Sequence, residues 1–409
     1  MTSGLMASRM SGEKYLSAQD AARQLGISTA TLYSYVSRGL LRSVASEGKT
    51  RAKRYIAEDV ERLKKKQSIR RNPEKSAEMA LNFGSPVLDS SITLIKNGRL
   101  FYRGQDAIAL AKTEQFEAIA ALLWANDLTK HKLLFPPTNL PKLTETAAKL
   151  PVIERFQTVL THAAPQDLAA YGFSADAVAN TGARILHLLA CSAINISSAE
   201  FDSSIAQTLQ QAWLPDQPKA RPLIEAALII SADHELNVSA FTARCIASAR
   251  ATPYAAVIGG LSALSGYRHG GATERVAAFF RESDGFVLGA LRSYLQRGLE
   301  LPGIGHALYP TGDPRGELLF GWVQQAYGET KGAKLAKEIA DAIEGHFGRK
   351  PNIDFALVTL AKALELPPDA PLTLFAIGRT AGWISHIIEQ YNSEELIRPR
   401  ARYTGSTPR

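Results

Sequence analysis

Two apolar patterns divide the chain. Between Tyr15 and Arg38 apolar residues return at helical spacing in two short runs, first Ala21, Ala22 and Leu25, then Leu32, Tyr35 and Val36, with Gly26 between them. Ser17 and Ser28 stand where helix N-caps belong, since a serine oxygen accepts the otherwise unpaired N–H groups of a first turn. The pattern predicts two helices meeting across a glycine turn and closed by Gly39, then two short strands around a basic turn, then a helix from Ala57. From Ser85 the run SPVLDSSITLIKNGRLFYRGQDA sets β-branched and aromatic residues on both sides of Asn97-Gly98, a hairpin signal. Beyond it, segments 107–124, 176–200, 219–250, 284–298, 313–328, 333–346 and 371–391 repeat apolar residues every three to four positions. The bulk of the chain is therefore expected to be α-helical, with the hairpin nearly its only sheet. Residues 127–155, rich in proline, read as an irregular connector, and no internal repeat is present.

Composition narrows the class without naming a function. The 409 residues are 45% hydrophobic and 21% charged, ordinary values for a globular chain with ample core. Cys191 and Cys245 lie in apolar stretches without a C-x-x-C spacing, so a disulfide framework, a zinc ribbon and a thioredoxin-like motif all lack material. No apolar run approaches the ~18 residues of a membrane span, and the first residues carry no apolar signal region, so a cytoplasmic, membrane-free protein is expected. The net charge of +8 is unevenly spread: residues 1–75 hold 16 Lys+Arg against 7 Asp+Glu, and the remainder has a net charge of −1. The basicity belongs to the front module.

That module, residues 15–67, resembles the winged, MerR-type helix-turn-helix. The resemblance implies that Ser28, Thr29, Thr31 and Tyr33 on the second helix face a DNA major groove, and that Arg51, Lys53 and Arg54 on the wing meet phosphates. A helical docking module is the competing reading. Residues 1–14 are expected to form a flexible N-terminus, and 68–81, charge-dense with a proline, a linker.

Three of the eight histidines have unusual neighbours. His234 lies in SADHELNVSAFTAR, His269 in SGYRHGGATERV and His306 in LPGIGHALYPTGDPR. Glycine beside a histidine allows close backbone approach to a ligand and leaves helix-end amides free for an anion. No H-x-x-x-H or H-x-x-E-H pair occurs and no cysteine is near, so no metal site is expected. No Walker A sequence appears, and Gly303-Ile304-Gly305 lacks the third glycine of a dinucleotide fold.

Together with Asp354 in KPNIDFAL, Arg315 in GDPRG, Arg379 in AIGRTAGWISH and Arg398 in LIRPRARYTG, these motifs resemble the citrate synthase family. The match runs in order through YRGQDA at 102–107, D-H-x-x-N-x-S at 233–239, H-G-G-A at 269–272, P-G-x-G-H at 302–306, D-P-R at 313–315, P-N-x-D-F at 351–355, and R-P with a final Y-x-G at 398–405. The resemblance implies an all-α fold of two helical domains over residues 82–409, with a small lid subdomain within about 250–365, assembled as a homodimer.

The chemistry implied is a condensation of acetyl-CoA with oxaloacetate, followed by hydrolysis to citrate and CoA, with no further cofactor. Taking a proton from the weakly acidic acetyl methyl needs a base there and a donor at the thioester oxygen. Asp354 matches the base, neutral His269 the donor, and His306 the group that polarises and protonates the ketone. Two substrate carboxylates call for planar guanidinium forks; Arg315, Arg379 and Arg398 match the family's three, with His234 beside them and Arg398 supplied across the dimer. CoA contacts fall to Arg268, Gly303, Gly305, Arg349 and Lys350. Tyr267 and Arg268 replace the family's usual Pro and apolar residue before His269, and Ala307–Gly312 contains no basic residue. Propionyl-CoA, giving 2-methylcitrate, is the competing substrate; a citryl-CoA lyase is a third enzyme reading, and a DNA-binding regulator that senses metabolites is the alternative from another class.

Overall fold

The computed structural model describes residues 15–37, 40–45, 53–57, 59–60, 63, 88–136, 138–139, 145–195, 200–201, 204–393, 395–401 and 403–406. Arg51, residues 1–14 and the segment 68–81 lie outside them. The chain divides into two units, Met1–Asp89 and Ser90–Arg409.

In the first unit the glycine turn forms as the pattern requires. Ser17 caps the helix Ala18–Leu25 by accepting the Asp20 N–H, and Gly26 ends it in the left-handed region. The second helix, Thr29–Ser37, starts with Ser28 Oγ accepting the Thr31 N–H at 3.1 Å. Strand Lys53–Ile56 pairs antiparallel with both Tyr15–Leu16 and Ser43–Ala45, a third strand that the apolar pattern does not announce. Ala21, Leu25, Leu32, Leu41, Tyr55 and Val60 close a small core. Arg42 grips the buried Asp59 through Nε at 2.9 Å and Nη2 at 3.0 Å.

The second unit is helical apart from short strand pairs. Thr93–Lys96 and Arg99–Tyr102 pair around Asn97-Gly98, both with positive φ, and Gln105–Asp106 adds a third strand. Its largest core surrounds the helix Ala370–Asn392, buried along almost all of its length, which packs on helices Arg221–Ser231, Val238–Ser248, Ala175–Ala193, Pro253–Leu264 and Phe116–Ala125. A helix covered on nearly every side belongs in a core of this kind. A second cluster gathers Val276, Phe279, Leu291, Ile339, Ile343, Phe355 and Val358 from four further helices. No helix among the described residues is long and apolar enough to cross a membrane.

Four departures from the apolar pattern matter. Segment 107–124 is two helices, Ala107–Thr113 and Phe116–Ala125, and the buried Glu225 carboxylate accepts the Phe116 N–H at the break. Segment 219–250 is likewise two, Arg221–Ser231 and Val238–Ser248, separated by a turn that carries Asp233 and His234. The connector 127–155 already contains the start of helix Val152–Ala163, which Pro151 precedes. Helix Pro253–Leu264 lies outside every periodic segment named above, because its apolar run with Gly259-Gly260 has no polar face to mark a period.

Candidate active site

Four backbone features bring distant motifs together. Asn237 accepts the Ser239 and Ala240 N–H groups, both at 3.1 Å, so helix Val238–Ser248 begins just beyond His234. Asn352 does the same for Asp354 and Phe355 at the start of helix Ile353–Ala363, and its Nδ2 donates to Gly305 O at 3.0 Å. Backbone bonds Gly305 N to Lys350 O (2.8 Å) and Asn352 N to Gly303 O (2.9 Å) strap the loop before His306 to the segment before Asp354. Gly303 and Gly305 both have positive φ, and a Cβ at Gly305 would press on the Arg349 guanidinium. Finally Asp313 caps helix Pro314–Tyr327 and also accepts the Ile353 N–H at 3.2 Å, tying Arg315 to Asp354.

The result is a nest of neutral imidazoles beside buried guanidinium groups. His234 and His306 meet edge to face with centroids 5.0 Å apart, and Tyr309 lies 5.6 Å and 5.1 Å from them. His234 Nε2 lies 3.0 Å from the Tyr309 hydroxyl. The Leu308 N–H donates to His306 Nδ1 at 3.1 Å. A backbone amide can only donate, so neutral His306 carries its proton on Nε2. Burial and the nearby Arg315 push His306 down to about 4. His269 also falls to about 4, through burial and then Arg379, and burial with both arginines takes His234 well below the usual range. All three are neutral at physiological pH.

His269 Nε2 lies 2.8 Å from Ser239 Oγ, which also receives the Trp383 Nε1–H at 3.1 Å and reaches Asn237 Oδ1 at 2.7 Å. One hydroxyl proton faces two acceptors there, and its direction sets the His269 tautomer.

The two buried arginines differ. Arg315 is held by Asp313 through Nε at 2.9 Å and Nη2 at 2.8 Å, a fully buried fork. Arg379 donates Nε–H to Ser231 O at 2.8 Å and has no carboxylate at ion-pair distance among the described residues. Burial lowers its guanidinium to about 10, with Asp233 opposing the shift. A buried cation without an ion partner costs several kcal/mol unless an anion arrives. Asp354 is half-buried, and burial lifts its carboxyl to about 6 against the pull of Arg315 and Arg379. A carboxylate so raised can take up a proton closer to neutral pH than an exposed aspartate.

Other candidates stand outside this nest. Arg398 is exposed on the C-terminal segment, and no hydrogen bond joins it to the buried groups among the described residues. Arg268 is exposed and donates Nε–H to Tyr267 Oη at 2.9 Å. Arg349 donates to Ile304 O at 3.1 Å, and Lys350 pairs with Glu317 at 3.0 Å. In the first unit Ser28, Thr29, Tyr33, Lys53 and Arg54 are exposed, Thr31 half-buried, and Ser28 and Thr31 already serve the helix cap. Tyr33 and Lys53 line a cavity of about 590 Å³ with Ser17, Gln19, Ser37 and Tyr55. The sequence reading assigned no role to Tyr309, Asp313, Ser239, Trp383, Phe375, Asp233 and His386. Asp233, Ser239 and Asp313 stand inside the quoted D-H-x-x-N-x-S and D-P-R motifs, and Tyr309 follows closely after His306, which flags them. Phe375, whose ring faces Arg379 Cζ at 4.7 Å, gives no signal distinct from a core aromatic.

Comparison with known proteins bears on the same residues. The family model described as citrate synthase, C-terminal domain, matches residues 81–400, and that described as helix-turn-helix domain matches 15–68. Citrate synthase 2 of Bacillus subtilis is 31% identical over 355 residues, covering 79% of this chain and 94% of that protein. The citrate synthase of Haloferax volcanii is 37% identical over 188 residues, covering 44% of this chain and 49% of that protein. For 2-methylcitrate synthase 2 of Corynebacterium glutamicum the identity is 33%, covering 53% of this chain and 60% of that protein. The aligned region thus spans about half the length of these last two relatives. Among solved structures, citrate synthase from Thermotoga maritima has a TM-score of 0.66 at 26% identity, over 80% of this chain and 95% of that one. The ternary complex of carboxymethyl coenzyme A and oxaloacetate with citrate synthase from Thermoplasma acidophilum has a TM-score of 0.67 at 23% identity, over 81% of this chain and 97% of that one, a likeness of fold.

Proposed function

Because the chain belongs to the citrate synthase family, and so to the acyltransferases, we propose that it condenses acetyl-CoA with oxaloacetate and hydrolyses the product to citrate and CoA. The observation that carries this reading is the buried Arg379 with no carboxylate at ion-pair distance among the described residues, set beside three neutral histidines and a carboxylate raised to about 6. A carboxylate of the keto acid supplies the missing anion. Asp354 removes a methyl proton from the acyl group, and His269 donates to the thioester oxygen as the enolate forms. For that, Ser239 must direct its proton to His269 Nε2, leaving the Nδ1 proton for the substrate; Asn237 Oδ1 already holds two backbone N–H groups and does not need it. The enolate carbon attacks the ketone, and His306 Nε2–H stabilises and protonates the new alkoxide. Water then cleaves the thioester.

Arg268, Arg349 and Lys350 meet the CoA phosphates, with Lys350 leaving Glu317, and Gly303 and Gly305 give the thioester arm close backbone approach. The protein works as a homodimer in which Arg398 completes the pocket of a second subunit; its exposure in its own chain supports this. The cluster around Val276 and Phe355 forms the core of a closing lid within about residues 250–365. Domain limits of 15–67 and 82–409 follow the same reading. One added methylene discriminates by only ~1–3 kcal/mol, so the acyl group is decided by product. An equimolar mixture of acetyl- and propionyl-CoA with oxaloacetate should yield citrate in excess by mass spectrometry. Excess 2-methylcitrate would transfer the reading to propionyl-CoA, and neither product would end it.

The base must be deprotonated to act. The rate kcat/KM should therefore rise with unit slope as pH passes about 6 and stay level above it, the histidines having lost their protons near 4. An acid limb near 4 would show that Asp354 is an ordinary carboxylate and not the tuned base.

A second activity is favoured by the exposed Tyr33, Lys53 and Arg54 on a unit whose sequence carries the chain's positive charge. We propose that residues 15–67 bind duplex DNA. Affinity measured by fluorescence anisotropy should fall by roughly 0.9 log units per phosphate contact for each tenfold rise in salt. Replacing Lys53 and Arg54 by alanine should reduce the slope by about two. Salt-independent or absent binding by the full chain would leave the module a docking element.

A further inference from the structure

His386 takes no part in the chemistry above, yet it lies in the centre of the large core with no exposed surface. Its Nε2 is 3.2 Å from Oδ1 of Asp233, a carboxylate also without exposure and the residue immediately before His234. A carboxylate only accepts, so His386 Nε2 is the donor. Asp233 Oδ2 has no hydrogen-bond partner within bonding geometry among the described residues, so His386 makes the side-chain bond that this carboxylate accepts there, with the Thr93 hydroxyl close by.

The arrangement is built by one face of helix Ala370–Asn392. Gly378, Gly382 and His386 follow each other at intervals of four, and Arg379 adjoins the first. A Cβ at Gly382 would overlap Ala232 O and Asp233 Oδ1. With hydrogen there, the helix comes close enough for Gly382 N–H to donate to Ala232 O at 3.0 Å. Arg379 Nε donates to Ser231 O at 2.8 Å. Three successive residues, Ser231, Ala232 and Asp233, are thus gripped from a single helix just before the chain turns to present His234. Glu235, the next residue, has a φ of 54°, so the turn is held in a conformation that L-residues rarely choose.

The groups facing Asp233 come from every element around it: His386 and Arg379 from the long helix, Thr93, Tyr102 and Arg103 from the hairpin, and Glu235 from its own turn. Arg379 is committed to the substrate pocket, and the Tyr102 hydroxyl bonds to the backbone of Ile229 and Asp233. His386 is the side chain at hydrogen-bonding distance of the carboxylate itself, with Thr93 beside it.

We propose that His386 is a positioning residue for the keto acid pocket: by holding Asp233, it sets the turn that aims His234 at the same substrate carboxylate as Arg379. This rests on the oxaloacetate reading above. The test uses the full chain with His386→Leu, which removes the donor, and His386→Gln, whose amide reaches the same place and donates. KM for oxaloacetate and KM for the acyl-CoA are read separately. The expected result is an oxaloacetate KM raised about tenfold in the leucine variant, the loss of one hydrogen bond to a charged group, with the acyl-CoA KM nearly unchanged and parental values in the glutamine variant. Unchanged oxaloacetate KM in the leucine variant overturns the proposal. So do two constants that rise together in both variants, the mark of general loosening. Should the leucine variant not fold, the glutamine variant decides alone, parental oxaloacetate KM supporting the role and a tenfold rise refuting it. A parent protein that neither binds nor turns over oxaloacetate would overturn the functional reading first, and this inference with it.

Discussion

Replacing Asp354 by alanine is expected to lower condensation by roughly 10²–10⁴-fold, the usual worth of a positioned general base, while oxaloacetate binds as before. The reason is placement. Asp354 sits in the first turn of helix Ile353–Ala363, capped by Asn352, and its neighbour Ile353 is tied through Asp313 to Arg315. In the proposed reaction the carboxylate therefore faces the acyl methyl and is not a ligand of the keto acid. Burial raises its pKa to about 6, which makes it a stronger base than an exposed aspartate while leaving it mostly ionised at neutral pH. Calorimetry with oxaloacetate alone should give the parental affinity in the variant. Turnover within a few-fold of the parent would remove Asp354 from the mechanism.

His306→Ala should have the next largest effect, a fall in kcat of roughly 10²–10³-fold, the range seen when one donor to a developing oxyanion is removed. Neutral imidazole is needed for this role, and the structure provides it twice over. Burial and Arg315 hold the ring at about 4, and the Leu308 N–H occupies Nδ1 so that the proton stands on Nε2. Arg379→Ala should act differently, weakening oxaloacetate binding itself, since its buried guanidinium has no carboxylate at ion-pair distance among the described residues and is the one proposed to meet the keto acid. Binding measured without CoA separates the two. Equal losses of affinity in both variants would mean that the carboxylate site has been misplaced.

How far the sequence alone reaches is clear from particular positions. His269 and His306 are visible because glycines flank them and interrupt an apolar background, whereas Asp354 is reached through the P-N-x-D-F motif of the family resemblance. Fold class follows from the three-to-four periodicity of the long helices. The break at 232–237 inside a helical segment is not visible, since Ala-Asp-His-Glu-Leu contains neither Gly nor Pro and the turn is stabilised by contacts from Gly382 and His386 far along the chain. His386 itself reads as one polar residue in an apolar helix. The same limit hides helix Pro253–Leu264, whose run of apolar residues and glycines leaves no polar face to reveal a period. In each case the missing information is tertiary: which backbone group satisfies which, across more than a hundred residues.

One pocket is proposed to join a carbon base to a dicarboxylate site. Release of free CoA thiol from acetyl-CoA by the purified full chain, followed as oxaloacetate concentration is raised, tests it most directly. No release is expected without oxaloacetate, and a saturable rise in rate with it. Release at the same rate in its absence would mark a simple thioesterase, and no release from acetyl- or propionyl-CoA at any oxaloacetate concentration would contradict the account.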